Sequence, residues 1–173
     1  MSKINASINA IGKNFNFEGP VESVLKGHFN VIHNNVTIGK GSTIGSYCEL
    51  EGGTVVGKFV TLQGRVRTGP DVLIEDDVVV KYGTILTDTA LIKRNAFIGP
   101  NVITLGGGHD RQRVNGTIIG ENCYIGAGTK IAGGVEICDD VVIGANSFVT
   151  RNITKPGIYV GTPVKFLRGR HDG

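Results

Sequence analysis

The stretch Ile38-Gly39-Lys40-Gly41-Ser42-Thr43-Ile44-Gly45-Ser46-Tyr47-Cys48-Glu49-Leu50 decides the fold, because its large aliphatic residues fall six apart. The series runs on through Val56, Leu62, Thr68, Ile74, Val80, Leu86, Ile92 and Ile98, with Thr68 the one departure from an aliphatic side chain. Glycine follows directly at Gly39, Gly45, Gly57, Gly69 and Gly99, and a small or β-branched residue stands two positions before, from Val36 and Ser42 to Ala90 and Ala96. The code resumes at Ile119, Ile125, Ile131, Ile137, Ile143 and Val149. A helix repeats at 3.6 residues and a two-sided strand at 2, so a sustained period of six fits neither alone. It fits short strands joined by tight turns, each hexapeptide giving one flat side with its aliphatic residue inward, and three sides closing a coil of eighteen residues. The glycine is expected to supply a turn conformation that a Cβ would hinder. The expectation is an all-β protein, a triangular parallel β-helix.

Composition agrees. The 173 residues hold 27 glycines, 39 Ile plus Val against 8 Leu, and no Trp, which favours strands and a core of small repeated layers over one bulky centre. Hydrophobic residues make up 40% and charged residues 19%, excluding the composition of a disordered chain. No apolar run approaches the length of a membrane span. The N-terminal sequence lacks the apolar stretch of a signal peptide, so a cytoplasmic setting is expected. Three cysteines, Cys48, Cys123 and Cys138, with no C-x-x-C spacing, indicate neither a disulfide framework nor a zinc knuckle.

Two segments leave the code. Residues 1–35 show only fragments such as Ile11-Gly12 and are expected to form an irregular capping coil before a β-helix over 36–154, and residues 155–173 to form a C-terminal cap. Residues 105–116 break the phase: Ile98 and Ile119 are 21 apart where 18 would have stayed in register, which predicts an extruded loop.

The repeat, the single mid-chain loop and the closing Val160-Gly161-Thr162-Pro163-Val164-Lys165 resemble the hexapeptide-repeat acyltransferases over roughly residues 31–168. That resemblance implies a left-handed β-helix, a homotrimer with active sites between subunits, and acetyl-CoA as acyl donor with no metal required. Glu75-Asp-Asp-Val-Val-Val-Lys-Tyr-Gly and Ala96-Phe-Ile-Gly-Pro-Asn101 resemble the branch that acetylates amino groups of nucleotide-linked sugars, a step in polysaccharide biosynthesis. The loop Thr104-Leu-Gly-Gly-Gly-His-Asp-Arg is instead similar to that of the galactoside, maltose and xenobiotic acetyltransferases, where a His at this place is the base. Gly106-Gly107 is similar to the serine acetyltransferases. Their helical N-terminal domain has no counterpart here, and Lys81 stands where their catalytic His would be, so serine is not the expected acceptor.

Acyl transfer from a thioester needs a base, a stabilised oxyanion and a grip on the carrier. His109, alone in the loop beside Asp110, is the candidate base, with backbone N–H groups near Gly126 as candidate oxyanion donors. Lys81, Asn101, Asp110, Arg111 and Arg113 are the candidate contacts to an anionic acceptor. Residues 151–170 carry Arg151, Lys155, Lys165, Arg168 and Arg170 with no acidic residue, which suits the phosphates of coenzyme A. The resemblance points to Gly126, Ala127 and Ala145 for the pantetheine and adenine edge, and to Thr150, Arg151, Lys165 and Arg168 for the nucleotide end. The expected reaction is direct acetyl transfer to an amine or hydroxyl of a sugar, foremost a nucleotide-linked amino sugar. The alternatives are O-acetylation of simple sugars or xenobiotics, or a non-catalytic solenoid. Carbonic anhydrase chemistry, which the same fold hosts with three His ligands, is set aside because no repeat coil supplies them, and nucleic-acid binding because no interleaved aromatics accompany the basic tail.

Overall fold

A computed structural model describes residues 9–19, 24–107 and 115–170. Among these residues every named element is a strand, from β1 (Ala10–Ile11) to β23 (Lys165–Arg168), and all but three of the strands are two residues long. They stack into three parallel sheets, the faces of a triangular coil. Face A runs from β1 to Phe148–Val149, face B from Asn16–Phe17 to Glu136–Ile137, and face C from Thr43–Ile44 to β23. Thr37 pairs with Val55 and Ile38 with Val56, Glu49 with Arg67 and Leu50 with Thr68, so each coil takes eighteen residues as the sequence requires. This parallel solenoid is consistent with the left-handed form. No helix among the described residues is long and apolar enough to cross a membrane.

Ile38, Ile44, Leu50, Ile74, Val80, Leu86, Ile92, Ile98, Ile119, Ile125 and Ile131 are all fully buried along the axis. Each such side chain contributes roughly 1.5–3 kcal/mol on burial. Thr68 is buried too, and its hydroxyl pairs with that of Thr54 at 2.9 Å and accepts from the Glu51 N–H at 3.1 Å. The residues two before the inward position do more than stay small. Ser42 Oγ donates to Gly57 O at 2.7 Å, Thr84 Oγ1 to Gly99 O at 3.0 Å, Thr129 Oγ1 to Gly144 O at 3.1 Å, and Cys123 Sγ to Cys138 O at 3.1 Å. Each bond reaches fifteen residues ahead and ties one coil to the next.

The role expected of the glycines is corrected. Left-handed backbone falls three residues before most inward positions, on glycines such as Gly41 (φ 79°) and Gly128 (φ 70°) and on Asn35 (φ 59°), Asp77 (φ 61°), Asn95 (φ 57°), Asn122 (φ 55°) and Asn146 (φ 54°), residue types that tolerate it best after glycine. The glycine after the inward residue is needed for close approach instead. A Cβ on Gly57 would come within 2.8 Å of the Asp76 backbone nitrogen in the next coil, and one on Gly126 within 2.5 Å of the Ala145 nitrogen.

The loop insertion is also larger than the phase count suggested. Ile103–Thr104 forms one more strand with Thr104 buried inward, and Thr104 pairs with Ile131, nine residues beyond the normal spacing. The N-terminal strands β1 and Asn16–Phe17 pair with Val31–Ile32 and Thr37–Ile38 at a spacing of twenty-one. At the other end β22 (Gly157–Val160) joins face C in parallel and β23 returns antiparallel to it, so the tail covers the last coil. Val164 N donates to Phe148 O and Phe148 N to Gly161 O, both at 3.0 Å, which fastens it there.

Candidate active site

The inward residues of face C are each followed by a corner that leads into face A. Lys81 follows Val80 there, Asn101 turns the next coil at φ 55°, and Gly126, Ala127 and Ala145 continue upward, so five residues singled out in the sequence share one edge. Lys81 is held by its N–H to Ile98 O at 2.9 Å, and its Nζ stands 5.7 Å from the centre of the Phe97 ring. Phe97 stacks on Tyr124 at 4.9 Å and 1°, giving the ammonium a flat aromatic floor. Asn101 N donates to Tyr82 O at 2.9 Å. Gly126 N donates to Ile143 O at 2.8 Å. That N–H is taken up by the coil ladder, so an oxyanion donor at this edge has to be a neighbouring group.

Thr150, Arg151 and Lys165 line a cleft of about 280 Å³ at the end of the stack, with Asn152, Ile153, Tyr159, Pro163 and Val164 completing its wall. Arg168 is exposed on β23 beside Ile158 and is not among those lining residues. Arg170 is tied down: its Nη1 donates to Asn122 O at 2.8 Å and lies 3.6 Å from Asp140, so the free charge of the tail is smaller than its sequence suggests. His109, Asp110, Arg111 and Arg113 lie outside the described residues. The segment that holds them leaves from Leu105-Gly106-Gly107 at the corner between faces A and B, where a Cβ on Gly106 would touch Thr87. The sequence groups Lys81 with Asp110, Arg111 and Arg113 of this loop as contacts to one acceptor. In the fold the whole width of face A separates Lys81 from the loop's point of departure on the same chain.

The sequence reading missed a second cleft, of about 410 Å³, lower on the edge that carries Lys81. Lys26, Thr43, Thr61, Gln63, Gly64 and Tyr82 are among its lining residues. Beside it the Arg65 guanidinium lies 5.9 Å from the Tyr47 ring and 5.6 Å from the Tyr82 ring, and Phe29 stacks on Tyr47 at 5.2 Å. Phe29, Tyr47 and Arg65 hold φ of 61°, 61° and 57° at positions where most other corners, Phe59 and Thr89 apart, carry Asn, Asp or Gly. That substitution pattern was the available signal.

Cys48 and Cys123 are buried, and burial raises both thiols, Cys123 to about 11. The thiolate that a cysteine nucleophile requires is therefore disfavoured in both.

Residues 116–151 match the family Bacterial transferase hexapeptide (six repeats), and residues 35–64 match Hexapeptide repeat of succinyl-transferase. Both matches fall on the coils described above and liken the chain to the hexapeptide-repeat transferases. Within that class it is 37% identical to the galactoside O-acetyltransferase of Escherichia coli over 99 residues, 51% of this chain and 49% of that one. It is 34% identical to the putative acetyltransferase YJL218W of Saccharomyces cerevisiae over 104 residues, 54% of this chain and 53% of the relative. The chain spans about half the length of these two curated relatives. In fold it resembles PerB from Caulobacter crescentus, solved with CoA and GDP-perosamine, at a TM-score of 0.58 and 21% identity over 84% of this chain and 58% of that one.

Proposed function

We propose that this protein transfers an acetyl group from acetyl-CoA to an amine or hydroxyl of a sugar, with a nucleotide-linked amino sugar as the preferred acceptor. The observation that carries the proposal is the edge of Gly126, Ala127 and Ala145 on the same final coils as the Thr150, Arg151 and Lys165 cleft. Small residues let an extended carrier lie along the backbone, and the two cations suit its phosphates. The sequence likeness to acetyltransferases adds support. His109 is the general base, Lys81, Asn101, Asp110, Arg111 and Arg113 hold the acceptor, and Arg168 contributes charge near the nucleotide end. With Cys48 and Cys123 buried and protonated, the acyl group passes directly to the acceptor. The three cysteines are free, which fits a reducing compartment and so the cytoplasm.

Arg151→Gln and Lys165→Gln test the donor end. A phosphate contact remote from the reacting carbon is made equally in the ground and transition states, so each change is expected to raise KM for acetyl-CoA several-fold with kcat little altered. Steady-state assays of thiol release measure this, and equal losses in kcat, or no change at all, would argue against the assignment. The acceptor is identified in the same assay with a panel of nucleotide-linked amino sugars and simple sugars.

The working unit is a homotrimer. Val55, Leu73, Leu91 and Ile118 stand in register along the outside of face B, and Val79, Phe97, Tyr124 and Val142 along face C. Face A mixes Glu49, Arg67 and Lys130 with Val31, Ile85, Ile103 and Phe148 in the corresponding row. Apolar rows on faces B and C suit a three-fold ring in which these two unlike faces meet. Such a ring would bring the loop corner of one protomer to the Lys81 edge of its neighbour, completing a site that face A divides within one chain. Light scattering should give three times the 18.3 kDa chain mass, and an active monomer would overturn the arrangement.

A further inference from the structure

His33 follows the inward residue Ile32 of face A, and Glu49 and Glu51 flank Leu50 one coil above, so strand pairing brings the three side chains together. One imidazole nitrogen and one oxygen from each carboxylate lie within 4.8 Å of one another, and among the described residues this is the group of His, Cys, Asp and Glu so arranged. His33 Nε2 faces Glu49 Oε1 and Nδ1 faces Glu51 Oε2, each at 3.6 Å. Arg67 Nε binds the other Glu49 oxygen, Oε2, at 2.7 Å, which leaves Oε1 turned to the ring. Nε2 is shielded from solvent and has no hydrogen-bond partner. A neutral imidazole has one N–H, so with a carboxylate at each nitrogen one ring lone pair must face an anion. A cation between them removes that conflict.

We propose that His33, Glu49 and Glu51 form a binding site for a divalent transition-metal ion that clips the N-terminal coil to the stack. The donor set of one imidazole and two carboxylates suits Zn²⁺ or Co²⁺ rather than Mg²⁺, which favours all-oxygen octahedral surroundings. Ligand bonds of about 2.0–2.2 Å place tetrahedral ligand atoms about 3.4 Å apart. One ion takes a single ring nitrogen: each nitrogen lies 3.6 Å from one carboxylate, the set of one nitrogen and one oxygen from each glutamate spans no more than 4.8 Å, and rotation of the half-buried glutamates closes the rest. Water completes the coordination. The ion takes no part in acyl transfer: the site lies on the first coils, away from the Lys81 edge and the end cleft, so it stands or falls independently of the proposed activity.

Tag-free full-length protein, titrated with ZnCl₂ in a calorimeter and with CoCl₂ by visible absorption, tests it. One ion per protomer is expected, with Kd on the order of 10 µM, and a Co²⁺ spectrum without thiolate charge-transfer bands. Zn²⁺, and not Mg²⁺, should raise Tm, because a ligand of the native state stabilises it by mass action. His33→Ala and Glu51→Gln should each weaken binding about tenfold or more while leaving circular dichroism unchanged. Absence of Zn²⁺ and Co²⁺ binding, with ¹⁵N shifts showing His33 as an imidazolium bridging the two glutamates, overturns the proposal. So does affinity unaffected by both substitutions, which would place the ion elsewhere.

Discussion

Replacing Ile125 by aspartate should unfold the coil that carries it and take the final coils with it. Its side chain is fully buried, stacked between Ile98 below and Ile143 above. Losing a buried isoleucine and leaving a cavity costs about 2–5 kcal/mol. Burying an unpaired carboxylate adds several kcal/mol more. Together these approach the roughly 5–15 kcal/mol that stabilises a whole domain. In a solenoid each coil rests on its neighbours, so the loss reaches Ala145 and the Arg151 cleft. Urea denaturation with hydrogen exchange measures the effect, and Ile125→Val, costing about 0.5–1.5 kcal/mol, is the control. An Ile125→Asp variant that melts within a few degrees of the parent would refute the inward placement of this residue.

The second large effect is on turnover. A histidine with an ordinary pKa near 6.5 is mostly neutral at physiological pH and able to accept the acceptor's proton as it attacks the thioester carbon. General-base assistance is worth roughly 10²–10⁴-fold, so His109→Ala is expected to lower kcat by that factor while KM for acetyl-CoA stays close to the parent value. Pre-steady-state measurement separates the chemical step from product release. A variant that keeps more than about a third of the parent rate, far from the expected loss, would take His109 out of the mechanism. The acceptor would then be an amine that arrives poised to lose its proton, with Lys81 and the loop arginines positioning it.

These two tests differ in how directly the sequence leads to them. Ile125 is inward by phase alone: once the period is six and a coil is eighteen residues, every aliphatic residue of the series points to the axis. Burial of the series bears this out, and Thr68 is accommodated because the Thr54 hydroxyl lies beside it. His109 rests on resemblance, since no periodicity assigns a role to a side chain in an inserted segment.

The sequence by itself determined the all-β solenoid, its coil length, its core and the place where the loop leaves, because a strict repeat makes the neighbours of each residue a matter of counting. Only the tertiary structure decided what lies between coils and around corners. Counting does not show whether a glycine serves positive φ or close approach, and the answer is approach at Gly57 and Gly126. Nor does it show that the small buried residues donate to carbonyls fifteen residues on, a distance set by how the corners stack. Lys81 and Leu105-Gly106-Gly107, where the inserted segment departs, stand on opposite sides of face A. His33, Glu49 and Glu51 look like scattered surface charges in the chain and meet because β-pairing lays residue 33 beside residue 51. Function here depends on contacts across coils and corners, and those depend on the path of the backbone in three dimensions.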